Sequence, residues 1–144
     1  MKRLLLGALL VALASCTNGG VVGGSGGSGG TGVMTIDVNL TLHTDGYLPD
    51  TITVPVGSSI RFTNSDGFAH TATLIPGATS FPSGSPFSAS AQTQSGTVLS
   101  APWSSGALQA GSASQTITVD APGTYLFGCF FHYGAPMRGT IVAQ

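Results

Sequence analysis

Apolar and polar residues alternate along several short stretches of the chain. From Met34 to Leu42 every second residue is apolar, and the same period recurs at 51–56, where Ile52, Val54 and Val56 share a face, and at 59–64. A period of two indicates strands with one buried face. Further strands are predicted at 70–75, 115–120, 124–129 and 138–143, and no segment has a helical period. Several short strands with turn residues between them predict an all-β sandwich or barrel.

The region 76–114 interrupts this pattern. It is rich in Gly, Ser, Ala and Pro and has no sustained period, although 97–99 could form one short strand. Structureless connections of this length are uncommon inside a compact domain unless they are functional or disordered. We therefore expect irregular covering structure here, and the pattern does not place Trp103 inside or outside the core.

The N-terminus has the pattern of an export signal. Lys2 and Arg3 precede an apolar run of ten residues, Leu4–Leu13, which is too short to span a bilayer but suits a secretory signal. The run ends in Leu-Ala-Ser-Cys, which resembles the lipobox of bacterial lipoproteins. We expect residues 1–15 to be a signal peptide and Cys16 to be the lipidated first residue of the mature chain. The alternative is an ordinary signal peptide with a chance cysteine at its end.

Residues 17–32 have the composition of a tether, with nine glycines in sixteen positions. Such a segment is a flexible linker with a root-mean-square reach of about 20–24 Å. An engineered linker is the alternative, but its position behind a signal favours a native tether. The prediction is thus a lipidated cysteine and tether at 16–32, followed by one domain at 33–144.

Composition narrows the possible functions. Apolar residues make up 42% of the chain, which is enough for a packed core, while charged residues make up only 6%. The formal net charge is −1, and removal of Lys2 and Arg3 with the signal would make it −3. A nucleic-acid partner is excluded, because it requires clustered Lys and Arg.

Four residues carry the candidate chemistry. Cys129, His132 and Met137 lie within nine residues of one another, and His70 begins an earlier predicted strand. Two His, one Cys and one Met form the ligand set of a trigonal copper site with a long axial bond. Taken singly, the cysteine would be a buried apolar thiol and the methionine core filler. Once Cys16 is lipidated, Cys129 has no disulfide partner, and a copper thiolate would account for it. His43 has no such context and is expected at the surface.

Three segments carry a family resemblance. Residues 123–139 resemble the C-terminal copper loop of plastocyanin-like cupredoxins, in which Cys, two residues, His, four residues and Met follow one another. Residues 64–70 resemble the other ligand segment of that family, and residues 47–54 with Gly57 resemble its lead-in. The resemblance implies a Greek-key β-sandwich of about seven to eight strands and one type 1 copper ion. It implies His70, Cys129 and His132 as equatorial ligands and Met137 as the axial ligand.

The resemblance also implies roles for the residues around these ligands. His132 would be the electron port and Thr71 would tune the thiolate. An apolar rim for brief docking would surround the port, formed by Gly67, Phe68, Phe131, Tyr133, Ala135 and Pro136. The chain departs from the family pattern at Gly128, where plastocyanins usually have an aromatic residue, and at Phe131, where they usually have proline. It departs also at Pro136, where glycine is common, and at Thr71, where asparagine is frequent.

These features predict a membrane-tethered, monomeric carrier on the exported side of a bacterial cell envelope. It would shuttle single electrons between redox partners such as a cytochrome, an oxidase or a reductase. We expect it not to be an enzyme, because Gly128 and Phe130 flank Cys129, whereas copper oxidases and nitrite reductases have His beside that Cys. Copper handling is the main alternative, although only three methionines occur in the chain. A metal-free binding module is disfavoured by the complete ligand set.

Overall fold

The computed structural model describes residues 32–38, 46–135 and 137–144, and of residues 37 and 38 it describes the backbone. The predicted signal peptide, Cys16, most of the tether and His43 lie outside these ranges, as does Pro136. No helix in the described ranges is long and apolar enough to cross a membrane.

The described residues are almost entirely strands and connecting loops. The strands are β1 (Val33–Val38), β2 (Tyr47–Leu48), β3 (Thr51–Val54), β4 (Ser59–Asn64), β5 (Thr73–Leu74), β6 (Gln94–Ser95), β7 (Ser104–Ser105), β8 (Ile117–Thr118), β9 (Gly123–Gly128) and β10 (Arg138–Ala143). One short 3-10 helix spans Ala89–Gln92. The all-β prediction is confirmed. Ten strands are described rather than seven to eight, because five of them have only two residues.

The strands form two sheets. The first has the order β2-β1-β4-β8, and the second has the order β3-β10-β9-β5-β7-β6. Strand β1 runs parallel to β4, and β3 runs parallel to β10, whereas the other pairs are antiparallel. Neighbours in a sheet are mostly distant in the sequence, which is consistent with the predicted Greek-key sandwich.

Aromatic side chains fill the space between the sheets. Phe127 lies 4.6 Å from Tyr47 and 5.3 Å from Phe62, measured between ring centroids. Trp103 stacks on Phe62 at 5.6 Å and is only 2% exposed. The residue that the sequence pattern did not place is therefore part of the core.

The strands with the clearest alternation are the best predicted. The predicted bounds 59–64 and 138–143 are those of β4 and β10. Along β3 the alternation matches burial, since Ile52 and Val54 are buried, but Val56 is 42% exposed because it follows the strand in a turn. The predicted strand at 70–75 is reduced to β5, with an isolated bridge from His70 to Leu108.

The region 76–114 is ordered covering structure. Its strands β6 and β7 extend the second sheet beyond β5, and the predicted strand at 97–99 is a single bridge from Val98 to Thr118. Further along, Leu108 exchanges backbone hydrogen bonds with His70, and Ser105 donates to the carbonyl of Ala72. The region therefore braces the segment that carries His70.

Candidate metal centre

Both backbone groups of His70 are hydrogen-bonded to Leu108. Its N–H donates to the carbonyl of Leu108 at 3.1 Å, and the N–H of Leu108 donates back at 2.7 Å. The side-chain amide of Asn64, at the end of β4, donates to the carbonyls of Phe68 and Leu108 at 2.7 and 2.9 Å. Asn64 thereby closes the turn that leads into His70, whose side chain is fully buried.

A carboxylate orients the His70 ring. Oδ2 of Asp66 lies 2.7 Å from Nε2 of His70, and the Asp66 side chain is only 10% exposed. In the neutral tautomer with its proton on Nε2, the ring donates to this carboxylate and Nδ1 has a lone pair for a metal. Carboxylate partners of this kind commonly fix the tautomer and orientation of metal-binding histidines. Sequence analysis missed this role of Asp66, although its position four residues before His70, in a turn, was visible.

Cys129 follows β9 directly and is fully buried. Its N–H donates to the carbonyl of Met137 at 3.1 Å, which closes the loop between the two residues. Met137 is also fully buried and belongs to the same core cluster as Cys129. The fold thus brings the cysteine and the methionine to one end of the sandwich, and the role of Met137 as axial ligand stays a prediction.

Thr71 lies against the thiol. Its backbone N–H donates to Sγ of Cys129 at 3.4 Å, and its hydroxyl oxygen accepts from the N–H of Phe130 at 2.8 Å. The hydroxyl of Tyr47 donates to the carbonyl of Thr71 at 2.6 Å. Thr71 therefore occupies the position that the resemblance implies, next to the sulfur and tied to the core.

Three ligand atoms converge on one point. Nδ1 of His70 lies 3.1 Å from Nδ1 of His132, and Sγ of Cys129 lies 4.0 and 3.8 Å from these two nitrogens. Metal–ligand bonds of about 2.0–2.1 Å to nitrogen and about 2.3 Å to sulfur fit one ion between atoms at these separations. Among the residues that the structure describes, His70, Cys129 and His132 form a group whose ligand atoms lie close enough together to hold a metal ion. A soft thiolate with two imidazoles suits copper.

Electrostatics favour the metal-binding forms of Cys129 and His132, but favour the protonated form of His70, from which a metal would displace the proton. Burial raises the pKa of the Cys129 thiol, but hydrogen bonds from His70 and from the backbone outweigh this effect and bring the pKa below its usual value. Burial and the neighbouring His70 both lower the pKa of His132, which keeps that ring neutral. Burial would lower the pKa of His70, but its contacts with Cys129 and Asp66 outweigh burial and raise it. A thiolate and free imidazole nitrogens are the states that a metal requires.

The predicted rim is only partly at the surface. Phe68 is 70% exposed and Phe131 is 40% exposed, while Gly67 and Ala135 are exposed beside them. The ring of His132 is partly exposed near Phe131, with 6.3 Å between their centroids. The prediction for Tyr133 is wrong, because its side chain is only 2% exposed and packs inward. Pro136 lies outside the described residues.

Comparison with known proteins identifies the class. The model of the copper binding proteins of the plastocyanin/azurin family matches residues 35–144. The chain belongs to this family, and it is a blue copper cupredoxin. With its cluster of His70, Cys129 and His132, it has a single type 1 copper site.

Solved structures share the fold. A purple cupredoxin from Nitrosopumilus maritimus is 18% identical, with a TM-score of 0.53, and the match covers 77% of this chain and 99% of that one. A reduced amicyanin variant is also 18% identical, with a TM-score of 0.54 and coverage of 80% and 85%. A copper-containing nitrite reductase from Thermus scotoductus is 21% identical, with a TM-score of 0.51, and the match covers 77% of this chain but only 22% of the reductase. A search of curated proteins finds no match.

Proposed function

We propose that this chain carries single electrons between redox proteins at the exported side of a bacterial envelope, where Cys16 anchors it to a membrane. His70, Cys129 and His132 are the proposed equatorial ligands, and Met137 is the proposed axial ligand. The observation that carries the proposal is the convergence of two imidazole nitrogens and one sulfur within 3.1–4.0 Å. Within this cluster His70 and Cys129 are buried in the core, while His132 is partly exposed.

The residues of the site keep the ligand geometry constant. Copper, when bound, supplies a one-electron couple between Cu(I) and Cu(II). Cys129 would bind as the thiolate, with its proton released to solvent, and the N–H of Thr71 would stabilise the charge on sulfur. Asp66 holds the buried His70 ring, while the bond from Cys129 N–H to the Met137 carbonyl closes the loop. Because these groups are fixed by hydrogen bonds, little rearrangement accompanies a change of charge at the site.

Exposed apolar side chains support docking near His132. Phe68 and Phe131 are large hydrophobic residues exposed at the surface, and each lies within two residues of a proposed histidine ligand. A small apolar patch of this kind suits weak and brief redox encounters. The partly exposed ring of His132 beside Phe131 would then provide the path for the electron.

One observation favours a carrier over an enzyme. Gly128 and Phe130 flank Cys129, so that no histidine lies directly beside the cysteine to ligate a second copper ion. Turnover of oxygen or nitrite by the copper-loaded chain would contradict this part of the proposal.

The test is electrochemical. The copper-loaded full chain should show a reversible one-electron couple by voltammetry and should exchange electrons rapidly between its own oxidised and reduced copies. Phe131→Leu, which keeps an apolar residue in the rim, should show the same couple and a similar rate of exchange. A centre that cycles slowly and loses copper readily to a mild chelator would instead indicate copper handling.

A further inference from the structure

A second small core lies outside the main one. Residues 76–88, here named the cover segment, follow Ile75, whose N–H donates to the carbonyl of Leu126 in β9 at 2.8 Å, and they pack against both of these side chains. The buried members of this small core are Ile75, Leu126 and Tyr133, and the partly buried members are Ala78, Phe81 and Phe87. Tyr133 comes from the loop that carries His132. The cover segment therefore contacts the copper loop directly.

Tyr133 is held in place by contacts with three residues. Its hydroxyl donates to the carbonyl of Pro82 at 3.0 Å, and its ring meets the ring of Phe87 edge to face at 5.6 Å between centroids. The guanidinium of Arg138 lies 4.4 Å from the Tyr133 ring centroid, and Nε of Arg138 donates to the Tyr133 carbonyl at 3.1 Å. Both the side chain and the backbone of the residue after His132 are thus fixed.

Gly128 makes room for this ring. A Cβ atom at Gly128 would lie 2.9 and 3.0 Å from two carbons of the Tyr133 ring and 3.3 Å from a carbon of Phe87. Any side chain at this position would displace Tyr133. The departure from the family pattern at Gly128 thus has a physical reason, since Tyr133 from the loop occupies the space that a side chain at position 128 would need.

We propose that the cover segment is a strap that acts through Tyr133 to hold the copper loop, and with it His132, in the metal-binding geometry. The inference rests on the proposed function in that it assigns His132 to the metal. Tyr133 is a positioning residue, because it touches the loop and the strap rather than the ligand atoms. Groups that hold ligands in place commonly change metal affinity about 10–100-fold when they are removed.

The first measurement is amide hydrogen exchange of residues 130–135 in the copper-free full chain. Tyr133→Leu should accelerate exchange in this loop about tenfold, and Tyr133→Phe, which loses only the bond to Pro82, should accelerate it less. Gly128→Ala should act in the same direction by pushing the ring away. Its matched control is Gly84→Ala, which lies within the strap but has open space around its Cα.

The second measurement is copper loss from the loaded chain to an excess of a Cu(I) chelator. Tyr133→Leu and Gly128→Ala should lose copper about tenfold faster than the unaltered chain, with a shifted thiolate–copper band. Val119→Ala is the control for a general loss of stability. Val119 is a fully buried core residue whose N–H donates to the carbonyl of Ser58, just before β4. Asn64, which closes the turn into His70, lies at the other end of that strand.

The outcomes separate the strap from the proposed function. Loop exchange and copper loss that are unchanged in Tyr133→Leu would overturn the strap, as would equal acceleration by Val119→Ala. If the unaltered chain shows no thiolate–copper band, the proposed function fails, whereas hydrogen exchange in the copper-free chain still decides whether Tyr133 holds the loop.

Discussion

At the scale of single residues, the site depends on groups that bind no metal themselves. Asp66 fixes the His70 ring, Thr71 donates to the sulfur of Cys129, and Asn64 closes the turn between them. The ligand types and their spacing were readable from the sequence because a soft thiolate with imidazoles is a specific combination. The role of Asp66 could not be predicted from the sequence, because an aspartate in a turn is common and only the folded turn brings its carboxylate to the His70 ring.

The contact between Asp66 and His70 predicts a dependence of the reduction potential on charge. Asp66→Asn removes a negative charge that stabilises the more positive Cu(II) state, so the midpoint potential should rise. A unit charge acting through a partly buried site is worth on the order of 2 kcal/mol, or about 100 mV for one electron. Voltammetry of the two proteins would measure the difference.

The control for this change is Asp120→Asn. Asp120 is exposed and accepts hydrogen bonds from the backbone and side chain of Ser100, and it contacts none of the proposed ligands. Its replacement should leave the potential within a few millivolts of that of the unaltered chain. A potential that is equally insensitive to Asp66→Asn would show that the carboxylate does not act on the metal.

At the scale of elements, regular alternation predicted the long strands and failed where burial was irregular. Both β4 and β10 were predicted with their observed bounds because one face of each is buried. The region 76–114 could not be read, because its strands have two residues each and its burial depends on partners far along the chain. Tyr133 was assigned to the surface for the same reason, since its partner Phe87 lies 46 positions away and no local pattern reveals the contact.

The placement of Trp103 in the core predicts that the region 76–114 contributes to stability. Trp103→Ala would remove a ring that stacks on Phe62 and lies 6.1 Å from Phe127, and such truncations cost about 3–5 kcal/mol. Denaturant unfolding of the copper-free chain would measure the loss.

Phe68→Ala is a suitable comparison for this change, because Phe68 is also aromatic but is 70% exposed. It should change the free energy of unfolding by less than about 0.5 kcal/mol. Similar losses for both variants would contradict the assignment of Trp103 to the core.

At the scale of the whole molecule, the proposed carrier combines an anchor, a tether and a domain with a docking surface. The fold and the metal follow from the family and the structure, whereas the anchor rests on the sequence alone. An anchored domain on a tether with a reach of about 20–24 Å could meet partners on the same membrane without diffusing away.

The anchor predicts a simple change in localisation. Cys16→Ser should move the protein from the membrane fraction to the soluble fraction of the exporting cell, because the acyl chains would no longer be attached. Fractionation and immunoblotting would measure this, with Ser28→Ala in the tether as the control. Retention of the Cys16→Ser protein in the membrane fraction would contradict the anchor.

The docking surface predicts that electron exchange depends on Phe131 without any change at the metal. Phe131→Ser should slow electron self-exchange between copies of the loaded protein about tenfold, since an apolar contact beside His132 is lost. The visible spectrum should be unchanged. Nuclear magnetic resonance line widths of mixed oxidised and reduced samples would give the rate, and an unaltered rate would exclude Phe131 from the docking surface.

The visible absorption spectrum of the full chain after addition of Cu(II) tests the central claim most directly. We expect an intense thiolate–copper band that disappears on reduction, returns on oxidation and is absent from Cys129→Ser. A pale spectrum typical of Cu(II) bound to nitrogen and oxygen, unchanged by Cys129→Ser, would contradict the account, because the thiol would then have no part in binding the metal.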